Sequence, residues 1–283
     1  MLRQNYSIFY SITSWHKILN EAIKPFLLKH TSENLISKYF IAFSKDQGDH
    51  IKISLYTEDE SKAILNEFHS IIGYYIDLKP SMNSIEKSLG DSFFMNFENN
   101  QILIELFNFD TQEDDSLDKS FASDRRNILF EISKIITKLS YEDEITDDVL
   151  FINALSIHII IVTCILKFTG EDKSIFLKKY IVSASKNLNI SQQVLIDKNS
   201  IAILIDNLTQ FETWYSTEGI QNLLAKYNSL NMYIERMDLK ADTCFEFFNS
   251  ISEATFKQLT INNLTERTII INLLYKITLH LQE

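Results

Sequence analysis

Lys38-Tyr39-Phe40-Ile41-Ala42-Phe43, Ser44-Lys45-Asp46-Gln47-Gly48-Asp49 and His50-Ile51-Lys52-Ile53-Ser54-Leu55-Tyr56 form the continuous stretch around which this chain is organised. Ile51, Ile53 and Leu55 alternate with His50, Lys52 and Ser54, which is the period of a strand with one apolar face. The residues between the two apolar runs are polar and include Gly48, as a hairpin loop demands. Two antiparallel strands are therefore expected. Their alternation sets His50, Lys52 and Ser54 on one face in a row spaced by about 7 Å. An imidazole, an ammonium and a hydroxyl in one row can bind an anion and exchange a proton, so this row is the principal candidate for chemistry.

Working outward, Tyr6 to Tyr10 alternates enough for a short strand, and Ser14 can cap a helix beginning at Trp15. Pro25 lies inside that helical pattern, so the helix either kinks there or restarts. His16 and His30 fall on its polar face. Thr57-Glu58-Asp59-Glu60 is an acidic helix start, and Ala63, Ile64, Phe68, Ile71 and Ile72 mark an amphipathic helix able to cover the sheet. His69 faces away from that stripe. Asp77 to Gly90 reads as loop or strand edge, and Gln101 to Phe107 as a strand.

From Asp124 onward the chain is mostly helical. Ile128, Leu129, Ile132, Ile135 and Ile136 give one buried stripe over Arg125 to Leu139, and Leu150 to Leu166 is apolar nearly all round, as a central helix would be. His158 within it reads as a hydrogen-bonded core histidine. Lys173 to Leu188, Ile201 to Trp214, Ile220 to Met237 and Asp242 to Phe248 continue the helical pattern. The expected fold is therefore α+β: a small mixed or antiparallel sheet near the N-terminal half packed with a predominantly helical C-terminal half. One domain over 1–283 is expected, with the sheet in 1–122 and the helices in 123–283.

The bulk properties narrow the function. With 283 residues, 45% of them hydrophobic, the chain can bury a full core. Its formal net charge of −11 argues against an extended nucleic-acid surface. Cys164 and Cys244 are far apart, so neither a disulfide framework nor a zinc site is expected, and reduced thiols in a cytoplasmic setting are the default. Met1 to Tyr6 has no apolar signal core, and the apolar run Ile157 to Leu166 is shorter than the roughly 20 residues of a membrane helix. No membrane association is expected. Only 5 glycines and 2 prolines favour long helices and leave no phosphate-cradling loop. Aromatic residues such as Phe40, Phe43, Phe93, Phe107 and Phe245 are read as core, with a peptide-binding groove as the alternative.

An aromatic strand, a short Asp/Gly loop and then His50-Ile51-Lys52-Ile53-Ser54-Leu55 resemble the opening of the thiopeptide-type bacteriocin biosynthesis domain. That domain is also the C-terminal glutamate-elimination domain of the split lantibiotic dehydratases. Trp15 with the helix of Leu19 to Leu28 resembles the family's lead-in, and Phe121-Ala122-Ser123-Asp124 its Phe-x-x-Asp segment. Asn262-Asn263-Leu264 aligns with the Asn-Arg-Leu of its closing element. The chain resembles a degenerate member. Where the family has His-x-Arg-x-Arg, Lys52 and Ser54 take the arginine places. Where it has Tyr-x-x-Glu-x-x-Arg-Tyr-Gly-Gly, this chain has Phe107 to Asp115, which leaves Asp110 without a cationic neighbour, or else merely part of an acidic surface loop. Gln258 or a close neighbour stands in place of the closing histidine.

The resemblance implies maturation of a ribosomally synthesised peptide. The reaction would be elimination of glutamate to form a dehydroamino acid, or a cyclisation joining two dehydroalanines with release of the leader. On that expectation His50, Asp110 and Asp124 are the candidate catalytic residues, and Lys52, Ser54, Arg125 and Asn262 the candidate substrate-binding residues. Arg125 and Arg126 either replace the lost basic residues or form a solvated pair on a helix's first turn. No cofactor and no metal are implied. The expected partners are the precursor peptide, leader and core, and a glutamylating dehydratase subunit, with a homodimer left open. The alternative is a non-catalytic protein that grips the leader or a dehydratase by adding a strand to its sheet edge. Loss of the arginines and of the closing histidine argues for it.

Overall fold

The computed structural model describes residues 2–58, 62–82, 97–105, 122–138, 145–169, 173–187, 222, 225–237 and 243–280. The fold is α+β, with an antiparallel sheet from the N-terminal half and helices in the C-terminal half. Its residues divide into two units. The first comprises Met1–Ala122, Leu129–Leu150 and Lys257–Thr260, and the second Ser123–Ile128, Phe151–Phe256 and Ile261–Glu283.

The first unit is built on four strands, β1 (Leu2–Phe9), β2 (Ile36–Ser44), β3 (His50–Thr57) and β4 (Gln101–Glu105). They lie in the order β2-β3-β1-β4 and every pair is antiparallel. Tyr6 faces Ile53 and Ile8 faces Ile51 across β1 and β3, while Ile41 and Phe43 extend the same apolar face onto β2. Trp15 stacks on Phe43 with centroids 5.0 Å apart, and Phe68 meets Tyr6 edge-on at 4.9 Å. Helices therefore cover that face, and each large side chain removed from water contributes about 1.5–3 kcal/mol.

The covering helices are α1 (Trp15–Ile18), α2 (Lys24–Ser32) and α3 (Lys62–Leu78). Between α1 and α2 the chain makes a π-helical turn, Leu19–Ile23. Pro25 supplies no amide hydrogen for the ladder, and the wider turn before it lets the helix continue, which resolves the two readings of Pro25. His30 is 2% exposed rather than on a polar face, because its ring packs on Phe26 and its nitrogens lie 3.4 Å from Glu33 and from Glu67. The Tyr6 hydroxyl donates to the Leu65 carbonyl at 2.7 Å and ties α3 to β1.

Helix α4 (Ala122–Lys138) borders the β2 edge over its Leu129–Lys138 part. Phe130 packs edge-on against Tyr56 at 5.2 Å and closes a small cluster with Phe40 and Ala42. The Ser133 hydroxyl accepts the Ile41 amide at 2.9 Å, and Tyr39 pairs with Thr137 at 2.8 Å.

The second unit is helical. It holds most of α5 (Asp147–Thr169), with α6 (Lys173–Asn187), α7 (Asn228–Glu235), α8 (Cys244–Gln258) and α9 (Leu264–His280). The Thr146 hydroxyl accepts the Val149 amide at 3.3 Å and caps α5. Asp147–Ile165 is long and apolar enough to cross a bilayer, but 72% of it is buried inside the protein, as in a core helix. His158 is fully buried, with Nδ1 2.7 Å from the Ala154 carbonyl and Nε2 2.9 Å from Ser252 Oγ. Burial holds its pKa at about 4. It is a hydrogen-bonded core histidine.

Candidate functional site

The apolar alternation of the hairpin leaves the other sheet face polar. Directly opposed residues place Arg3 beside Tyr56, Asn5 beside Ser54, Ser7 beside Lys52 and Phe9 beside His50. On the other flank of β3, Phe40 stands opposite Ser54, Ala42 opposite Lys52 and Ser44 opposite His50. The middle row thus carries the small side chains of Ala42 and Ser7 on either side of Lys52. Bulkier Phe9, His50 and Phe40 occupy the neighbouring rows, and Ala42 and Phe40 are buried in one cluster with Phe130.

His50 sits at the first position of β3 and is 3% exposed. Its ring stacks on Phe9 with centroids 4.6 Å apart, and Nδ1 lies 2.8 Å from the Gly48 carbonyl oxygen. A carbonyl can only accept, so Nδ1 carries the proton and the lone pair of the neutral ring is on Nε2. Burial above all, with the nearby Lys52 ammonium adding to it, lowers the pKa to about 4 against the raising effect of the Gly48 carbonyl. His50 is therefore neutral at pH 7, with a defined proton-accepting atom.

The loop that fixes this tautomer is itself anchored. Gly48 has φ +112°, Gln47 accepts the Phe97 amide at 3.0 Å, and the Asp49 backbone carbonyl accepts the Tyr10 amide at 3.1 Å. The Asp49 carboxylate accepts the Ile12 amide at 3.1 Å. Burial raises the Asp49 pKa, partly offset by that bond.

Ser54 is fully buried and donates to Asn5 Oδ1 at 2.6 Å, an atom that also accepts from Arg3 Nε at 3.1 Å. Its hydroxyl thus holds Asn5. Lys52 is half-buried and, among the described residues, its ammonium has no ion pair or hydrogen bond. Ser7 is 0% exposed and its hydroxyl has no hydrogen-bond partner among the described residues. The alternation Arg3, Asn5, Ser7 against Gln4, Tyr6, Ile8 carried the signal for this half of the face, but it shows only once β1 is extended back to Leu2.

The other expected site residues lie elsewhere. Asp110 is outside the described residues. Asp124, Arg125 and Asn262 belong to the second unit. Asp124 accepts from the Tyr233 hydroxyl at 3.2 Å, and Asn262 is exposed. Arg125 is 8% exposed and donates to Ser250 Oγ at 3.0 Å, so it is not a solvated residue on the first turn of α4. Gln258, in the place of the closing histidine, is 2% exposed. Its amide nitrogen donates to the carbonyls of Ile41 at 2.8 Å and Leu129 at 3.1 Å and to Ser133 Oγ at 3.0 Å.

Solved structures share this fold. The pyridine synthase TbtD from thiomuracin biosynthesis superposes with a TM-score of 0.59 at 11% identity, covering 98% of this chain and 97% of that one. The tRNA-dependent lantibiotic dehydratase MibB from Microbispora sp. 107891 gives 0.55 at 11% identity, with 97% of this chain matching 28% of that much longer one. TsrL gives 0.53 at 8% identity, covering 98% and 94%. At these identities the likeness is one of fold. No family model matches the sequence, and no curated protein matches it.

Proposed function

We propose that this protein matures a ribosomally synthesised peptide by eliminating a carboxylate, such as a side-chain-linked glutamate, from a modified precursor. The observation that carries this reading is a neutral His50, its lone pair fixed on Nε2, on the same sheet face as Lys52, whose ammonium is unpaired among the described residues. His50 Nε2 takes the substrate Cα proton, and the electron pair becomes the Cα–Cβ double bond. The Cβ–O bond breaks and the leaving group departs as its carboxylate, whose charge Lys52 meets. The fold shared with a pyridine synthase and a lantibiotic dehydratase supports this reading.

The test is mass spectrometry of a glutamylated precursor incubated with the full chain. Elimination releases glutamate, and His50→Ala with Lys52→Ala abolishes that loss while the melting temperature stays within a few degrees. Unchanged turnover in the double variant removes the reading.

A second reading, a non-catalytic grip on the leader or on a dehydratase, is favoured by the sheet edges. At β2 the Ile41 amide and carbonyl are taken by Ser133 and Gln258, which blocks strand addition at that point. At β4, where Ile104 is 52% exposed, β1 is the only strand neighbour among the described residues. Under this reading a leader peptide adds to β4. Calorimetry would then give micromolar affinity that survives the double change, and loss of binding in that variant rejects it.

A further inference from the structure

Ser7 is a residue that the proposed reaction leaves unused, and its surroundings are unusual for a serine in the middle of a sheet. It lies on β1, between Lys52 of β3 and Leu103 of β4. Directly opposed side chains on one face have Cβ atoms about 4.5–5.5 Å apart, so the Ser7 hydroxyl and the stem of Lys52 are immediate neighbours. The hydroxyl is fully buried without a partner, and the ammonium beside it is likewise unpaired among the described residues. The other polar groups of the face are already engaged: Ser54 and Arg3 on Asn5, and His50 Nδ1 on Gly48.

A buried hydroxyl without a partner is a standing cost to the fold, and it is relieved when a ligand supplies the missing oxygen. The neighbouring charge says what that ligand is. A donor hydroxyl beside an ammonium complements a carboxylate, one oxygen to each group. Ala42, on the far side of Lys52, is buried in the cluster with Phe130, so the ligand is met from the Ser7 side of Lys52.

We propose that Ser7 and Lys52 together form a two-point subsite for one carboxylate of the substrate, with Ser7 as a specificity-determining binding residue. The proposal rests on the reading above for the identity of the substrate, but the subsite is tested without turnover. Bound there, the carboxylate neutralises the ammonium two residues along the face from His50, so the loaded site holds a more basic imidazole than the empty one.

The probe is glutarate, titrated into the full-length protein and followed by the amide resonances of β1 and β3, with uncharged glutaramide as control. Glutarate is expected to shift the Ser7 and Lys52 resonances, and glutaramide to leave them unmoved. Ser7→Ala is expected to weaken glutarate about tenfold or more, the scale of one hydrogen bond to a charged group, while Ser7→Thr, which keeps the hydroxyl, retains binding. Lys52→Met is expected to abolish it. The proposal is overturned if glutarate leaves these resonances unmoved, if Ser7→Ala binds as tightly as the unaltered protein, or if glutaramide binds equally well. A protein that binds glutarate through Ser7 yet fails to release glutamate from precursor keeps the subsite and loses the elimination reading. One that eliminates with binding indifferent to Ser7 does the reverse.

Discussion

The side-chain amide of Gln258 donates to the backbone carbonyl of Ile41 at 2.8 Å, across 217 residues of sequence. Together with Ser133 on the Ile41 amide, it blocks the outer edge of β2 at Ile41. Edge strands left open recruit other chains, and here two side chains occupy the template.

Removing that clamp takes the Gln258 donor from the buried Ile41 carbonyl, while Leu129 O keeps Ser133 Oγ and Ser133 Oγ keeps the Ile41 amide. Gln258→Ala is expected to cost about 1–3 kcal/mol, since a buried carbonyl loses this donor without gaining water. Urea denaturation measures this, and an unchanged midpoint would show that the amide contributes nothing.

Ser7→Ala tests the opposite balance. Because the hydroxyl has no partner among the described residues, its removal is expected to leave stability unchanged or to raise it by about 1 kcal/mol. A loss of more than about 1 kcal/mol in the same assay would mean that Ser7 holds the fold instead of waiting for a ligand.

Acid sensitivity follows from two buried imidazoles. His50 and His158 titrate at about 4 in the folded protein, depressed by burial from 6.5. Above pH 6.5 the rings are neutral whether the chain is folded or not, and stability is full. Between 6.5 and 4 the unfolded chain takes up protons that the folded one refuses, so stability falls, by at most about 3 kcal/mol per ring. Urea midpoints at pH 7.5 and 4.5 should differ accordingly, with His50→Gln shrinking the difference. A variant with the full difference would contradict the assigned burial effect.

Gly48 adopts φ +112°, where a side chain is strained although a Cβ would clear Phe97 O by 3.5 Å. Gly48→Ala is expected to cost about 1–2 kcal/mol through conformation alone. It also displaces the carbonyl that fixes His50, so a ¹⁵N spectrum should show mixed imidazole tautomers. A ring still protonated only on Nδ1 would show that the loop carbonyl does not select the tautomer.

Much of the architecture was legible along the chain. Ile51, Ile53 and Leu55 fixed the period of β3, and that period alone placed His50, Lys52 and Ser54 on one face. The long apolar run identified α5 as a core helix and His158 as its buried histidine. Other features were not legible, because they depend on residues distant in sequence. Arg125 reads as a solvated first-turn arginine until Ser250 is seen beside it. His30 reads as a polar-face residue until Phe26 and Glu67 enclose it. Gln258 reads as a lost histidine, whereas in the fold it is an edge clamp.

The sequence by itself determined the hairpin, its alternation and the presence of an imidazole and an ammonium two residues apart, because side-chain direction in a strand is a local property. Only the tertiary structure decided what those groups can do. It set Ser7 opposite Lys52 through strand pairing, buried His50 against Phe9, and turned its free nitrogen into an acceptor by placing the Gly48 carbonyl on the other one. Register and burial arise between segments, and no single segment encodes them.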